Sequence, residues 1–562
     1  MILPALTNCG AGIWGKRDLI ETVEKKSYWI ILGFSSVSLV VHLAISVVVI
    51  GFSAISSALD TNHLQFQKPN IVVILADDLG WSDIAPYGGE IQTPSLQRLA
   101  SNGLRFTQFH NASKCHTSRA SLLTGLYAQQ VGMSKSKAYL QNSVTLAEVL
   151  KSAGYRTLMA GKHHGLDNPY DRGFDRYFGL RDGATNHFNP GYRRPDEPAP
   201  AQKRPGQRNW CIDSKCLQPY TPVNTMFYST DAYTDKALEY LIEYNDESKP
   251  FFLYLSYQAP HDPLQAWPED IAKYRGRYKE AGYRATIQKR YKSQAAIGLI
   301  DDSYQLSKPT HNDWNRLSPE EQDIEDQKMA VYAAMIDRMD QNIGRLLQQL
   351  TKSGKLDNTV IFFASDNGSS AEVVELGEGA IGAINRWTSL GPSWANVSNT
   401  PFRYFKGHSY QGGIVTPLIV HWPRVITDGG GISDFVGHFI DIMPTVLDIA
   451  ETTYPKFQND QVIPAYQGQS LVPIFRGIDL DRASPLFWEY RLGKALRSGN
   501  WKIVASSAEG IGGDGHWELY DMSVDKTETN NLADAMPHLV TELAALYDAW
   551  RADLPVNIAS NP

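Results

Sequence analysis

Two pairs of adjacent polar residues come after separate apolar runs, and their oxygens could hold a metal ion. Asp77 and Asp78 form the first pair, and Asp366 and Asn367 form the second. Adjacent carboxylates repel each other, so a bound cation would stabilise both in the ionised state. Four hard oxygen donors without clustered thiols favour Ca²⁺ or Mg²⁺ over zinc. The alternative is that these side chains are separate, solvated loop residues.

A single cysteine forms a second candidate site. Cys115 is followed by a helical pattern, which places it near a helix N-terminus, and Arg119 lies one turn further on. The helix dipole and the arginine both stabilise an anion, so Cys115 is a candidate nucleophilic thiolate. A thiolate is soft, however, and is a poor partner for a cation held by hard oxygens. The residues alone therefore leave the chemistry of Cys115 incomplete.

Five apolar runs flank these residues, and the first four are predicted to be buried strands. They alternate with helical patterns, which is typical of an α/β protein with a mainly parallel sheet. Polar groups follow the first four runs, and open α/β sheets bind ligands at the carboxyl ends of their strands. Lys162 and His164 follow the second run, His261 follows the third, and Lys406 precedes the fifth. The runs cover residues 71–76, 155–160, 251–257, 360–364 and 417–422.

Longer segments surround this predicted sheet. Residues 189–224 are rich in Pro and Arg and predict a loop, and residues 320–350 have the periodicity of a long amphipathic packing helix. From about residue 455, short β-like runs and a final helical run at residues 539–550 predict a smaller antiparallel domain. We therefore expect an N-terminal segment at 1–60, a catalytic domain at 61–453 and a C-terminal subdomain at 454–562.

The chain of 562 residues contains an apolar stretch near its N-terminus. Residues 27–59 lack Lys, Arg, Asp and Glu, and the stretch is long enough to span a bilayer. Lys16, Arg17, Lys25 and Lys26 precede it, which favours a cytoplasmic N-terminus and an exported body. We expect a membrane anchor with the catalytic domain on the periplasmic or extracellular side, or a secreted protein if the segment is a cleaved signal.

Charge and cysteine content narrow the function classes further. The net charge is −7 and no long basic run occurs, so nucleic acid is not expected as a partner. Four cysteines are too few for a disulfide scaffold. Cys211 and Cys216 lie close together in the Pro- and Arg-rich segment and could form a disulfide if the body is exported. The alternative is two reduced surface thiols.

The motifs occur in an order that resembles the sulfatase family of the alkaline phosphatase superfamily. Residues 115–119, CHTSR, followed by LLTG at 122–125, match the signature Cys-x-Pro-x-Arg with Leu-Leu-Thr-Gly, except that Thr117 replaces Pro. The likeness runs from about residue 69 to the terminal helix and looks closest to the bacterial arylsulfatase branch. The other matching motifs are DDLG at 77–80, GKHH at 161–164, APH at 259–261, SDNG at 365–368, and Lys406 through QGG at 411–413.

This resemblance implies a fold and a modified nucleophile. The fold would be α/β and alkaline-phosphatase-like, with a large mixed, mainly parallel sheet flanked by helices and a smaller C-terminal antiparallel sheet. A maturation enzyme would oxidise Cys115 to formylglycine, whose hydrated form is a gem-diol. A diol oxygen is a hard ligand, which removes the mismatch with a hard cation. By likeness, it would hold one Ca²⁺ together with Asp77, Asp78, Asp366 and Asn367.

The resemblance also implies how the remaining site residues would hydrolyse a sulfate monoester. One diol hydroxyl would attack sulfur, while Lys162 and Lys406 hold the sulfate oxygens. His261 would protonate the leaving oxygen. The second hydroxyl would then expel sulfate with His164 as the base, and Arg119 would hold the diol. The expected partners are a small sulfate ester, most simply an aryl sulfate, and the maturation enzyme.

Two other functions stay open on the sequence. A phosphonate or phosphate ester hydrolase on the same scaffold would share the metal and the two lysines. A catalytically silent binding protein is the third candidate, because the maturation enzyme is expected to read position 117, where Pro or Ala is usual. Two segments are predicted to wall the pocket: the Pro- and Arg-rich loop before Asn224, and residues 371–399 with Trp387 and Trp394. Aromatic residues there would suit an aryl or sugar leaving group. The alternative for both tryptophans is a role in packing.

Overall fold

The computed structural model describes the chain from residue 68 to residue 555 with three gaps. No helix in this part of the chain is both long enough and apolar enough to cross a membrane. The predicted anchor or signal segment, residues 1–60, lies outside the described residues, so both the segment and the expected export stay predictions. The described residues are 68–458, 460–491, 493–506 and 515–555.

A mixed sheet of ten strands forms the centre of the described chain. Its strands are β1 (Asn70–Asp77), β2 (Leu104–Phe106), β3 (Arg156–Gly161), β4 (Arg176–Leu180), β5 (Trp210–Ile212), β6 (Lys215–Leu217), β7 (Phe251–Pro260), β8 (Thr359–Ser365), β9 (Leu418–His421) and β10 (Gly431–Ser433). Their order across the sheet is β10-β2-β9-β8-β1-β7-β3-β4-β5-β6. Strands β8, β1, β7, β3 and β4 are parallel, so their carboxyl ends lie at one edge.

Helices cover both faces of this sheet. Val72 and Ile74 of β1 pack on one face against the helices at residues 94–101, 229–243 and 319–352. Ile71 and Val73 pack on the other face against the helices at residues 115–124, 146–152, 442–449 and 472–475. A strand buried on both faces needs apolar residues at every position, which is why β1 is a continuous apolar run. The helices of the described residues are α1 (Pro94–Ser101), α2 (Cys115–Thr124), α3 (Leu146–Ser152), α4 (Ser229–Glu243), α5 (Pro268–Ala272), α6 (Arg277–Ala296), α7 (Pro319–Lys352), α8 (Pro392–Ser398), α9 (Gln411–Ile414), α10 (Ile442–Ile449), α11 (Val472–Phe475) and α12 (Pro537–Ala552).

The long helix predicted from periodicity is confirmed as α7. Ser318 caps its N-terminus by accepting a hydrogen bond from the backbone N–H of Glu321, whose carboxylate in turn accepts one from the N–H of Ser318. Pro319 occupies the first helical position, where its missing N–H removes no intrahelical bond. The apolar stripe of the helix packs on the sheet, and Tyr332 in that stripe reaches the carboxyl end of β1.

The prediction of a loop over residues 189–224 is wrong for its middle part. Strands β5 and β6 form an antiparallel hairpin there, and a disulfide joins Cys211 and Cys216 across it. Each strand has three residues, too few to give a periodic signal, and buried Trp210 holds the hairpin on the sheet by stacking on Tyr233. The disulfide confirms the predicted pairing.

A four-stranded antiparallel sheet forms the C-terminal part of the described chain. One face packs against Tyr410, Ile414 and Ile440, and α12 covers the other face. The predicted fold class is therefore confirmed, while the boundary between residues 453 and 454 stays a prediction. The strands are β11 (Leu486–Tyr490), β12 (Gly493–Ser498), β13 (Trp501–Ser506) and β14 (Glu518–Asp521), and the described residues also hold two-residue pairs at Phe109–His110 with Gly437–His438, Glu375–Leu376 with Trp387–Thr388, and Phe457–Gln458 with Gln461–Val462.

Candidate active site

The carboxyl ends of four adjacent parallel strands meet at one edge of the large sheet. Asp77 ends β1, and Asp366 follows its neighbour β8. Lys162 follows β3, and His261 follows β7, which lies between β1 and β3. The strand-end residues singled out in the sequence therefore come together, as open α/β sheets require of a ligand site.

The two acidic pairs lie in direct contact. The backbone N–H of Asp78 donates to Asp366 Oδ1 at 3.3 Å, and Asn367 Nδ2 donates to Asp78 Oδ1 at 2.6 Å. Asp77 Oδ1 and Asn367 Oδ1 have no hydrogen-bond partner among the described residues, although both side chains are fully buried. Buried oxygens without a partner cost free energy unless a ligand satisfies them. These two oxygens are therefore suited to a cation.

A turn at Asp78 lets both adjacent carboxylates reach one site. Neighbouring side chains of a strand point to opposite faces, so the strand must end between them. Asp78 has a φ of 68°, in the left-handed region that a non-glycine residue adopts only when its surroundings hold it there. The Tyr332 hydroxyl lies 3.0 Å from the Asp78 carbonyl oxygen and 2.8 Å from Asp83 Oδ2, and Arg290 donates to Asp83 Oδ1 at 2.6 Å. This buried network fixes the turn.

Two lysines neutralise the first acidic pair. Lys162 Nζ hydrogen-bonds to Asp77 Oδ2, and Lys406 Nζ lies 2.6 and 2.7 Å from the two oxygens of Asp78. Lys162 is completely buried and Lys406 nearly so. Burial alone would raise the pKa of Asp77, but Lys162 and the neighbouring cations hold it well below its usual range. The carboxylate of Asp77 is therefore ionised inside the protein.

Arg119 of α2 holds the other acid. Its Nε donates to Asp366 Oδ2 at 2.8 Å, and its Nη1 donates to the carbonyl oxygen of Lys162 at 2.8 Å. Its Nη2 forms an ion pair with Asp366 Oδ2, also at 2.8 Å. Burial and the nearby carboxylate of Asp77 nevertheless raise the pKa of Asp366 to about 6. A further cation beside these acids would favour the ionised form of Asp366.

Cys115 faces the acids from the first position of α2. It is almost completely buried, and its Sγ lies 3.8 Å from Asp78 Oδ1. Burial raises the pKa of the thiol to about 12, so the unmodified side chain here is a protonated thiol and not a thiolate nucleophile. Ligand atoms of Asp77, Asp78, Cys115 and His261 all lie within 4.8 Å of one another. Residue 115 thus belongs to the group that could hold a metal.

His261 presents one ring nitrogen to the same site. Its Nδ1 lies 2.7 Å from the carbonyl oxygen of Asp262, which leaves Nε2 at 3.5 Å from Asp78 Oδ2. Asp262 is held in turn by Trp387 Nε1 at 2.8 Å and by the Ser389 hydroxyl at 2.5 Å. Burial lowers the pKa of His261, but the carboxylates of Asp78, Asp77 and Asp262 together raise it by more, so the net pKa lies above its ordinary value.

Comparison with known proteins decides the family. The family model described as sulfatase matches residues 69–452, more than half of the chain. The chain belongs to the sulfatase family. A second model, described as the C-terminal part of N-sulphoglucosamine sulphohydrolase, matches residues 402–548 of this sulfatase. The predicted family is thereby confirmed, and membership indicates a sulfuric ester hydrolase.

Individual relatives agree with this assignment. The sulfatase is 36% identical over 545 residues to an uncharacterized sulfatase of Schizosaccharomyces pombe, covering 87% of this chain and 94% of the relative. It is 36% identical over 420 residues to the arylsulfatase of Klebsiella aerogenes, covering 69% of this chain and 87% of the relative. The crystal structure of Ps i-CgsB with k-i-k-neocarrahexaose has the same fold, with a TM-score of 0.63 and 24% identity over 87% of this chain and 94% of that one.

His164 packs against His116, the residue that follows Cys115. Its ring meets that of His116 edge to face, with 5.6 Å between centroids, and Tyr490 of β11 contacts His116 at 5.7 Å. Burial and the positive charge of Lys162 lower the pKa of His164 well below its ordinary value, so its ring is neutral. Its Nδ1 has no hydrogen-bond partner among the residues described. The role of His164 as a base stays a prediction.

The two tryptophans predicted to wall the pocket are buried. Trp387 is 1% exposed, and its Nε1 donates a hydrogen bond to Asp262 Oδ2. Trp394 is fully buried and packs against Tyr278 and Tyr283, with ring centroids 5.5 and 4.7 Å away. The structure thus supports the packing alternative for both residues.

Sequence analysis missed a charged group at the opening of the site. Glu372 lies 2.9 Å from Lys203 and 3.6 Å from Lys114, and Lys203 lies 3.3 Å from Asp262. These residues come from loops, where spacing carries no periodic signal. Two indications were available: Lys114 directly precedes Cys115, and Glu372 lies in the segment 371–399 that was predicted to wall the pocket.

The donor set predicts one calcium site that can be measured without turnover. We expect Ca²⁺ to bind at a single site and Asn367→Ala to weaken its binding at least about tenfold, because an unpaired oxygen is lost. Isothermal titration calorimetry measures this, and Asp357→Ala removes an exposed acid as the matched control. Unchanged Ca²⁺ affinity in Asn367→Ala and in Asp77→Ala would contradict the assignment.

Proposed function

We propose that this sulfatase hydrolyses sulfate monoesters, with aryl sulfates as its substrates, through formylglycine formed from Cys115 and with one Ca²⁺. The observation that carries the proposal is the position of residue 115. Its side chain lies 3.8 Å from Asp78 Oδ1, within a buried group of carboxylates that Lys162 and Lys406 bind. The 36% identity to the Klebsiella aerogenes arylsulfatase supports the aryl class.

Two groups beyond the encoded side chains complete the chemistry. Ca²⁺ held by Asp77, Asp78, Asp366 and Asn367 would stabilise negative charge as a Lewis acid. Formylglycine at residue 115, once hydrated, would supply a hydroxyl nucleophile for sulfur and a second hydroxyl for release of sulfate. A buried thiol supplies neither hydroxyl, which is why oxidation of Cys115 is part of the proposal.

The charges of the encoded residues suit an anionic ester. The three carboxylates are balanced by Lys162, Lys406 and Arg119, so a divalent cation leaves the site positively charged. Each lysine ammonium has three donors and uses only part of them on its carboxylate, so the others can bind sulfate oxygens. Because carboxylates hold these ammonium groups in place, they stabilise the transition state with little reorganisation.

His261 is placed to protonate the leaving oxygen. Its Nδ1 is occupied by Asp262, so the proton is donated from Nε2, the nitrogen that faces the site. Arg119 has a mainly structural role, because it binds both Asp366 and the carbonyl oxygen of Lys162. It thereby links Asp366, which follows β8, to Lys162, which follows β3.

Thr117, which stands where the family has Pro, is accommodated by the fold. Its hydroxyl donates to the carbonyl oxygens of Lys114 and Ala112, which lie 2.7 and 2.8 Å away. Residue 117 is the third of α2, where the backbone N–H has no intrahelical acceptor. Proline at this position would therefore lose the two side-chain contacts and no helical bond.

Oxidation of Cys115 is the direct test of the proposal. We expect mass spectrometry of the active protein to find an aldehyde at residue 115, and Cys115→Ala to abolish sulfate release from 4-nitrophenyl sulfate. If the maturation enzyme reads position 117, Thr117→Pro should raise the oxidised fraction. An unmodified thiol in protein that is fully active would refute the proposal, and an unmodified thiol without activity would favour the binding-protein alternative.

The role of His261 predicts a dependence on the leaving group. His261→Ala should lower kcat/KM about 100-fold or more for sulfate esters of weakly acidic phenols, because they need protonation as they leave. For 4-nitrophenyl sulfate, whose leaving group is stable as an anion, we expect a loss of less than about tenfold. Steady-state kinetics over a phenol series measures this, with exposed His538→Ala as the control. An equal loss on every ester would remove His261 from the acid role.

A further inference from the structure

One carboxylate stands among lysines at the opening of the site. Glu372 Oε2 lies 2.9 Å from Lys203 Nζ, and its Oε1 lies 3.6 Å from Lys114 Nζ and 3.9 Å from Lys406 Nζ. The side chain of Glu372 is 36% exposed, whereas that of Lys406 is 3% exposed. Glu372 therefore lies on the solvent side of the lysine that binds Asp78.

The charges at this opening cancel. Lys114 and Lys203 both contact Glu372, and Lys203 also lies 3.3 Å from Asp262 Oδ2. Partial burial raises the pKa of Glu372, but Lys406 and the other cations lower it by more, so the acid is ionised near neutral pH. The buried part of the site thus attracts an anion, whereas the opening has no net positive charge to attract a second one, because Glu372 and Asp262 neutralise Lys114 and Lys203.

The leaving group of a substrate must lie on this solvent side. Residue 115 is buried at the base of the site, and in-line displacement at sulfur puts the leaving oxygen opposite the attacking hydroxyl. His261, which would protonate that oxygen, is tied through Asp262 to Lys203 and so to Glu372. The substituents of the departing phenol or alcohol therefore extend past Glu372.

We propose that Glu372 is a specificity-determining residue that disfavours sulfate esters whose leaving group carries a second negative charge. The substrates are then esters of uncharged phenols or alcohols, and not of acidic or multiply sulfated ones. This inference rests on the sulfate-ester hydrolysis proposed above and narrows its substrate class. Like charges a few ångströms apart near a protein surface change affinity by about tenfold, and salt weakens the effect.

The chain offers a matched control on the same segment. Glu375 is 39% exposed, close to the value for Glu372, but its carboxylate is bound by Arg386 at 2.7 Å and by Thr388 at 2.8 Å. Glu375→Gln therefore removes a nearby acid of similar exposure without changing the contacts of Lys114 and Lys203.

The test compares two esters in the matured, calcium-loaded protein. The probes are 4-carboxyphenyl sulfate and its uncharged N-methylamide, and the readout is the ratio of their kcat/KM values. We expect Glu372→Gln to shift this ratio about tenfold towards the carboxylate, and added salt to reduce the discrimination of the wild type. Glu372→Asp and Glu375→Gln should keep the wild-type ratio. The two esters also differ in the acidity of their leaving groups. This difference is the same for every variant, so it cancels when the ratios of the variants are compared.

The outcomes separate this inference from the proposed function. Absence of sulfate release from both esters by the wild type would overturn the proposed hydrolysis and this inference with it. If the wild type and all variants hydrolyse both esters with the same ratio of kcat/KM values, this inference alone is overturned. An equal loss on both esters in Glu372→Gln would also overturn it, because Glu372 would then only position Lys406.

Discussion

Charge balance among buried groups is the constraint on which the rest of this sulfatase depends. Three carboxylates lie side by side out of water, and they are stable as ions only because two lysines and an arginine bind them. The six groups come from β1, β3, β8, α2 and the loop before α9. Their attraction therefore holds together elements that are far apart in sequence. The same arrangement leaves Asp77 Oδ1 and Asn367 Oδ1 for a cation.

The inner site could be predicted from the sequence because its residues follow buried parallel strands. Such strands are continuous apolar runs, and their carboxyl ends lie at one edge, so Asp77, Lys162, His261 and Asp366 were expected to meet. The positions of these residues were predictable from physical chemistry, but their roles were inferred from the resemblance of the motifs to those of the sulfatase family. Cys115 shows the difference, because burial opposes the thiolate that its helix position suggested.

The contacts of the outer site could not be predicted, because loop residues meet by tertiary packing that no periodicity records. The sequence indicated only that the two segments holding Lys203 and Glu372 would wall the pocket. Glu372 and Lys203 are 169 residues apart and join at the opening through side chains from two loops. Tyr332 fits the apolar stripe of its helix, and only the fold shows that its hydroxyl holds the turn at Asp78. Trp387 likewise fits a pocket wall by composition but is buried beneath Asp262. Specificity therefore depends on the part of the site that sequence patterns describe least.

The central claim is that the acidic ends of β1 and β8 share one hard cation with residue 115. A crystal structure of the matured protein grown with Ca²⁺, with an anomalous difference map, tests this most directly. We expect one strong peak in contact with Asp77 Oδ1 and Asn367 Oδ1 and beside the oxidised side chain of residue 115. A peak elsewhere, or no peak in protein that keeps full activity after exhaustive chelation, would contradict it.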